Sequence, residues 1–280
     1  MKGQLYLVAT PIGNLEDMTY RAVRILSEVD LIAAEDTRNS IKLLNHFEIK
    51  TPMTSYHEFN KYDKAAWLVE QMMQGKSVAC ITDAGTPGIS DPGEELVRQC
   101  YAADIQVTAL PGACACITAL TASGQATRRF CFEAFLPADK KERRQVLEEL
   151  VTETRTIVLY EAPHRLLKTL EELLATLQNR RITVCRELTK KHETFFQTTL
   201  EDAVAFYQAQ PPKGECVIVI EGRNPEELVK EEQQKWEELT VAEHMEHYLS
   251  QGIAKKEAMK LVAQDRGVGK REIYQALLED

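Results

Sequence analysis

No stretch of the sequence approaches the ~20 consecutive apolar residues that a helix needs to cross a bilayer. The apolar segment 5–9 is also shorter than the ~7–15 residues at the centre of a secretion signal, and no small-residue cleavage site follows it. A cytoplasmic protein is the expectation. Positive charge is not in excess: 34 Lys and Arg face 43 Asp and Glu, a net charge of −9 at pH 7, which argues mildly against indiscriminate nucleic-acid binding. The phosphate-cradling patterns G-x-x-x-x-G-K-[ST] and G-x-G-x-x-G are both missing. Their absence disfavours an ATPase, a dinucleotide oxidoreductase and the methyltransferases that place a Gly-rich turn after their first strand. Cysteine is too scarce and too poorly spaced for a framework. There are seven, most inside apolar segments; Cys114 and Cys116 read C-x-C rather than C-x-x-C, and no histidine or second pair stands at zinc-like spacing. Buried, reduced thiols are expected, with neither disulfides nor a metal.

What is present is periodic. Apolar residues make up 44% of 280 residues, enough to bury sizeable cores in one to three domains. Segments 5–9, 31–34, 78–81 and 105–110 are short apolar runs that read as strands. Between them run helical stripes: Ala22, Ile25, Leu26 and Val29; Ile41, Leu44 and Phe47; Ala65, Leu68, Val69 and Met72; Leu96, Val97 and Cys100. Alternation of this kind predicts an α/β domain with a largely parallel sheet over 1–120. The small, polar segment 121–127 reads as a helix end and a joint. Beyond it, strand candidates 130–135, 156–160, 182–187, 194–199 and 217–220 are only partly separated by helices at 141–150, 166–177 and 200–207. Neighbouring strands without crossovers imply antiparallel pairs, so 121–223 reads as a mixed α+β domain.

Charge is distributed unevenly at the end of the chain. Residues 224–238 hold Glu226, Glu227, Glu231, Glu232, Glu237 and Glu238 against Lys230 and Lys235, a local −4, and read as a linker or exposed helix over 224–239. Residues 252–278 hold six bases against three acids, a local +3. From Thr240, which forms a capping box with Glu243, the tail reads as three short helices divided by Gly252 and Gly267. Lys255, Lys256, Lys270 and Arg271 cluster at the starts of the last two. A helix-turn-helix-like module over 240–280 that contacts nucleic acid is favoured over a helical bundle that packs on the body or on a partner subunit.

In an open parallel sheet, ligands bind beyond the carboxyl ends of the strands. The residues found there are Thr10-Pro11-Ile12-Gly13-Asn14, Glu35-Asp36-Thr37-Arg38, the segment 82–93 (T-D-A-G-T-P-G-I-S-D-P-G), Pro111-Gly112-Ala113 and the segment 160–165 (Y-E-A-P-H-R). Three Gly and two Pro in the twelve residues 82–93 exclude a helix or a central strand. Asp83 there is placed to accept hydrogen bonds from a ligand hydroxyl or amine. A tight structural turn is the bland alternative, but repetition of such loops at one edge of one sheet favours a site for a nucleotide-sized ligand.

These segments in order, with S-Y-H-E-F-N at 55–60, R-E-L-T-K at 186–190 and Gly214-Glu215, resemble the tetrapyrrole methylase superfamily over residues 3–222, and most of all its RNA-modifying branch. Cys114-Ala115-Cys116 departs slightly from the small Ser and Ala residues of that pattern. The resemblance implies a tetrapyrrole methylase-like fold of two α/β domains, a homodimer, and S-adenosylmethionine in the cleft between the domains. It also implies 2′-O-methylation of a cytidine ribose in the decoding centre of 16S rRNA, on the 30S subunit or its RNA. The donor then falls to Pro11, Asp83, Gly85, Thr86, Ile89, Pro111, Gly112, Ala113, Tyr160, Ala162 and Gly214. No metal is required, since a sulfonium carries its own leaving group. The transfer needs alignment of the ribose oxygen and removal of its proton. Glu58, Arg165, Arg186 and Lys190 are the leading candidates, with Glu161, His164, Glu187 and Glu193 beside them. For each, a structural ion pair is the alternative, most directly for Glu161 and Arg165 at i and i+4. Arg128, Arg129, Lys140, Lys141, Arg143 and Arg144 form a second basic cluster for RNA, and His57, Phe59 and Tyr62 are candidates for stacking on a base or packing the cleft's lip.

Overall fold

The structure, a computed structural model, describes residues 2–237 and 239–279. Glu238, in the acidic stretch, lies outside the described residues, as do the side chains of Glu232 and Glu237.

The first half of the chain runs β1 (Gln4–Val8), α1 (Tyr20–Glu28), β2 (Leu31–Ala34), α2 (Thr37–His46), β3 (Met53–Ser55), α3 (Lys61–Met73), β4 (Val78–Ile81), α4 (Gly93–Ala102), β5 (Gln106–Leu110) and α5 (Ala115–Ala122). The strands form one sheet in the order β3-β2-β4-β1-β5, every pair parallel. Successive residues of a strand face opposite sides, and both sides are covered. Leu5, Leu7, Val78 and Cys80 pack with Leu68 and Met72 of α3 and Leu96 and Cys100 of α4. Their neighbours Val8, Ala79 and Ile81 pack with Ala22, Ile25 and Leu26 of α1 and Leu44 of α2. The expected parallel α/β layer is what forms, with one addition. The edge strand β3 has a single apolar residue among Met-Thr-Ser, too little for a pattern, and is held by pairing with β2.

The second half runs β6 (Phe130–Phe135), α6 (Lys140–Glu149), β7 (Thr156–Glu161), α7 (Pro163–Leu177), β8 (Arg181–Arg186), β9 (Thr194–Thr199), α8 (Leu200–Ala209) and β10 (Cys216–Ile220). Its sheet, β6-β7-β10-β8-β9, is mixed: β6 lies parallel to β7, and the other pairs are antiparallel. Leu166, Leu170, Leu173 and Leu177 line one face of α7 and are buried, each contributing about 1.5–3 kcal/mol of apolar transfer. Helix α5 packs on β7 and β10, and there Ile12, from the loop after β1, joins Cys116, Leu120, Leu188 and Val217 in one cluster. This cluster holds the carboxyl end of the first sheet against the second.

The chain divides into two compact units. One comprises residues up to Glu148 with Thr156–Glu221, and so both sheets; the other comprises Glu149–Arg155 and residues from Gly222 onward. In the second unit the acidic stretch is a helix, α9 (Pro225–Glu237), followed by α10 (Val241–Leu249), α11 (Lys255–Asp265) and α12 (Lys270–Glu279). The Thr240–Glu243 capping box is formed at both ends, and Gly252 and Gly267 occupy left-handed turns at φ +81° and +63°. Met245, Ala258, Val262, Ala263 and Ile273 make a small core of their own. Fully buried His244 stacks on Trp236 with ring centres 3.7 Å apart, lies 3.2 Å from Asp265 and accepts from Arg266 at 3.2 Å. Burial and the neighbouring Arg266 lower its pKa against the pull of Asp265, so the ring is neutral at pH 7. Arg266 also donates to the carbonyls of Leu239 and Thr240. It therefore serves the core of this unit rather than the exposed basic set counted from the sequence. Lys255, Lys256, Lys260, Lys270 and Arg271 are exposed.

Candidate functional site

The loops that follow β1, β4 and β5 are tied to one another. Thr10 and Gly85 exchange backbone hydrogen bonds of 2.9 and 3.1 Å, and the Thr86 hydroxyl donates to the carbonyl of Ala113 at 2.9 Å. Gly85 sits at φ +87°, and a Cβ there would meet the Ile12 side chain at 3.2 Å. The loop after β4 is organised from inside by Asp91, whose carboxylate accepts the amides of Gly88, Ile89 and Gly93 at 2.8–3.1 Å. Buried Tyr56 fastens the end of this loop by donating to the carbonyl of Pro92 at 2.7 Å. Ser90, between them, is held at φ +64°, a strained conformation for a residue with a side chain.

Against these loops stand the ends of β6, β7 and β10, and between them is a cavity of about 370 Å3. Its walls are apolar at Ile12, Phe135, Tyr160, Leu188 and Val217 and acidic at Glu35, Asp83, Asp91, Glu161 and Glu215; among the described residues no Lys or Arg lines it. Glu35 accepts the Asp83 amide at 3.3 Å, and Asp83 receives Asn39 at 3.5 Å. Burial raises the Glu35 pKa and its neighbours Asp83 and Asp91 add to the rise, opposing the Asp83 amide. Tyr160 packs edge-on against Phe132 and Phe135, and its phenol oxygen accepts the Cys116 amide at 3.0 Å; burial pushes its pKa up. Glu161, 2% exposed, takes the Thr169 hydroxyl at 2.5 Å, the Ala162 amide at 2.9 Å and Arg165 at 3.4 Å. The i, i+4 pair is formed.

Of the residues assigned to a donor by resemblance, Asp83, Gly85, Thr86, Ile89, Tyr160 and Ala162 line this cavity. Pro11 and Gly214 are chain neighbours of lining residues, and Ala113 accepts from Thr86; Pro111 and Gly112 follow β5 without lining it, with Gly112 closed against Ala9. Sequence reasoning passed over Glu35, Phe135, Leu188 and Val217. Glu35 carried a signal in its place after β2; the other three are apolar residues of strands or their ends, no different in sequence from core. The E-D-T-R segment is a helix start rather than a loop: Asp36 caps α2, accepting the Arg38 amide at 2.8 Å, while the Arg38 guanidinium forks onto it and holds its carboxyl down at about 2.

The four transfer candidates stand outside the cavity wall. Lys190 pairs with Glu187 and with the lining Glu215, both at 3.0 Å. Burial works against its charge, but these two bonds outweigh it and raise its pKa, so it is a cation rather than a base. A Cβ on Gly13 would run into the Lys190 stem, and one on Gly214 into Glu187, which explains both glycines. Arg165 reaches Glu161 on one side and the Leu136 carbonyl at 3.2 Å on the other. Arg186 donates to the Lys213 carbonyl at 2.6 and 3.1 Å. Glu58 pairs with Lys61 at 2.6 Å on a single 3-10 turn, beside exposed Phe59 and Tyr62.

Arg165 also borders a second cavity of about 810 Å3 with Lys140, Arg143, Arg144 and Lys168. Part of that basic cluster is committed: Arg143 is 8% exposed and bonds Glu172 and Thr169, and Arg144 pairs with Glu148.

A parallel sheet joined to a mixed sheet, with an acid-lined cavity at the strand ends, makes an α/β protein, and the family model of the Tetrapyrrole (Corrin/Porphyrin) Methylases matches it over residues 4–204. The chain is similar in fold to uroporphyrin-III C-methyltransferase from Thermus thermophilus complexed with S-adenyl homocysteine, with a TM-score of 0.55 and 19% identity over 78% of this chain and 97% of that one. Among curated relatives named ribosomal RNA small subunit methyltransferase I, that of Halalkalibacterium halodurans is 51% identical over 273 residues, covering 98% of this chain and 94% of the relative. That of Bacillus subtilis is 50% identical over 274 residues, with the same coverage. The chain belongs to the tetrapyrrole methylase family, in its ribosomal RNA small subunit methyltransferase I branch.

Proposed function

We propose that this chain binds S-adenosylmethionine in the acid-lined cavity and methylates the ribose 2′-oxygen of a cytidine in the decoding centre of 16S rRNA, working as a homodimer. The observation that carries the donor is the chemistry of the wall. Of the five acids lining it, Asp91 is spent on loop amides, and Glu161 and Glu215 are paired with Arg165 and Lys190; Glu35 and Asp83, bonded to amides alone, face the same space as aromatic and aliphatic side chains. That suits a ligand with an apolar ring system and positive charge, and would repel a nucleotide phosphate. The bound donor supplies an electrophilic methyl group on a sulfonium. Asp83 and Glu35 would hold its polar groups, Gly85, Thr86 and Ala162 its close backbone contacts, and Tyr160 and Ile12 its apolar body.

The relatives' shared name and near full-length identity support an rRNA acceptor. Residues 1–120 and 121–223 then divide the donor site between them, and 240–280 docks RNA, with the acidic helix α9 packed into the same C-terminal unit through Trp236. Arg165 borders both the basic cavity and, through Glu161, the donor cavity. It is suited to fix a phosphate next to the ribose being methylated. Lys190, kept cationic beside Glu215, would stabilise negative charge on the ribose oxygen as its proton leaves. Glu58 and Arg186 are assigned to substrate positioning. The test is to supply labelled S-adenosylmethionine with 30S subunits, with naked 16S rRNA and with a corrinoid precursor in separate reactions. Label on a cytidine 2′-oxygen of 16S rRNA is expected; label on the corrinoid alone would replace this function with a tetrapyrrole methylase.

A further inference from the structure

We propose that Cys114 and Cys116 form a peroxide-oxidisable dithiol in the wall of the donor cavity, and that closing it to a disulfide weakens donor binding; the second part rests on the donor assignment above. Cys114 is the residue before α5 and lines the cavity; Cys116, buried, is the second residue of the helix, and the two sulfurs lie in hydrogen-bonding contact at 3.4 Å. Among the described residues Cys114 is the one cysteine that is not buried. The environment separates the two thiols. The Cys116 thiol and the first amides of α5 hold the Cys114 thiol well below the usual range despite its burial, while Cys116 is pushed up by the same bond and by burial. Burial also pushes up Cys80, and lifts Cys100 and Cys185 to about 12 and Cys216 to about 11, so these stay protonated and unreactive.

This arrangement gives an attacking and a resolving thiol. The Cys114 thiolate attacks hydrogen peroxide, forming an S–O bond as the O–O bond breaks and hydroxide leaves. Cys116 then attacks the sulfenic sulfur, forming the S–S bond as the S–O bond breaks; the hydroxide released takes the Cys116 proton. Two thiols and one peroxide give one disulfide and two waters. A disulfide is about 2.05 Å long, so the sulfurs must close by more than an ångström. Cys114 is thereby drawn from the cavity wall towards Cys116. The strain falls on the adjoining Ala113, whose carbonyl holds the Thr86 hydroxyl.

The full-length, reduced chain is treated with hydrogen peroxide, and its thiols are mapped by differential alkylation and mass spectrometry. The expected result is joint loss of the thiols at 114 and 116 with a mass decrease of two hydrogens, while the other cysteines remain free after denaturation. Cys116→Ser is expected to stop at a sulfenic acid that dimedone labels. In calorimetry with S-adenosylhomocysteine, oxidation should weaken binding by roughly tenfold and dithiothreitol should restore it. Cys114→Ser, whatever its own affinity, should bind with an affinity that peroxide no longer changes. Thiols at 114 and 116 that survive peroxide, or react no faster than the buried cysteines, would overturn the dithiol. A disulfide that forms without changing affinity would overturn its effect on binding. Failure of the reduced protein to bind would instead count against the donor assignment, with the dithiol still judged by its mass.

Discussion

Asp83 and Glu35 share one edge of the cavity and meet an amide side chain and a backbone amide rather than a cation. For Asp83→Ala the expected loss is a single charged hydrogen bond to the donor, roughly 1.5–3 kcal/mol, in a protein that still folds. Unchanged S-adenosylhomocysteine affinity in calorimetry would remove Asp83 from the site. Glu35 makes a sharper prediction, because its raised pKa works in two directions. The ionised carboxylate attracts a cationic donor, so affinity should fall as pH drops through the raised pKa, and Glu35→Gln should flatten that profile. In the folded protein without donor the ionised form is disfavoured relative to the unfolded chain. Above its folded pKa Glu35 therefore costs stability, and Glu35→Gln should raise Tm at neutral pH while leaving it unchanged in acid. A pH-independent wild-type affinity would show that Glu35 does not meet the donor's charge. The residue pattern alone could show Glu35 at a strand's carboxyl end. It could not show that Asp83 and Asp91 would be folded beside it, because 48 and 56 residues of chain separate them in sequence and only the sheet order β2-β4 brings their loops together.

At the scale of elements, the start of α7 joins the two cavities. Pro163 begins the helix, where its missing amide costs nothing, and Glu161 just before it gathers the Ala162 amide, the Thr169 hydroxyl and Arg165. Arg165→Ala should lower methyl transfer to RNA by roughly tenfold or more, equivalent to ~1.4 kcal/mol of transition-state stabilisation, while donor affinity holds. Glu161 keeps the Ala162 amide and the Thr169 hydroxyl in that variant but loses its cation, so Tm should fall while the fold persists; a collapse of donor binding would make Arg165 a support of the donor wall instead. The helix and its stripe were plain from leucine spacing, and the 161–165 spacing offered the pair as an alternative to a role in the transfer. That Arg143 would be consumed by Glu172 and Thr169 was not. Six basic residues look alike in sequence, and only the packing of α6 on α7 decides which of them is buried.

Across the whole molecule, the C-terminal unit carries exposed bases on a chain of opposite net charge. Replacing Lys255, Lys256, Lys270 and Arg271 together by alanine leaves the unit's core and its Trp236–His244–Asp265 arrangement untouched. Donor binding should be unaffected, RNA affinity should fall, and the dependence of log affinity on log salt should become shallower by about 0.7–0.9 for each phosphate that the protein no longer neutralises. Titrations at two salt concentrations decide it, with sedimentation alongside: full RNA affinity and an unchanged slope would assign this surface to something other than RNA.

The amino-acid sequence by itself determined the two sheets, the order of their helices, the helical tail with its glycine breaks, and the strand-end loops as the place to look. These follow from short apolar runs and the helical period of 3.6, from capping and turn chemistry, and from motifs contiguous along the chain. Tertiary structure alone decided which acids line one cavity without a cation among them, which arginines are spent on internal pairs, and that two cysteines in an apolar segment place one sulfur at the cavity wall. Those outcomes depend on groups far apart in sequence. Their ionisation is set by burial and by neighbours that only the folded chain supplies.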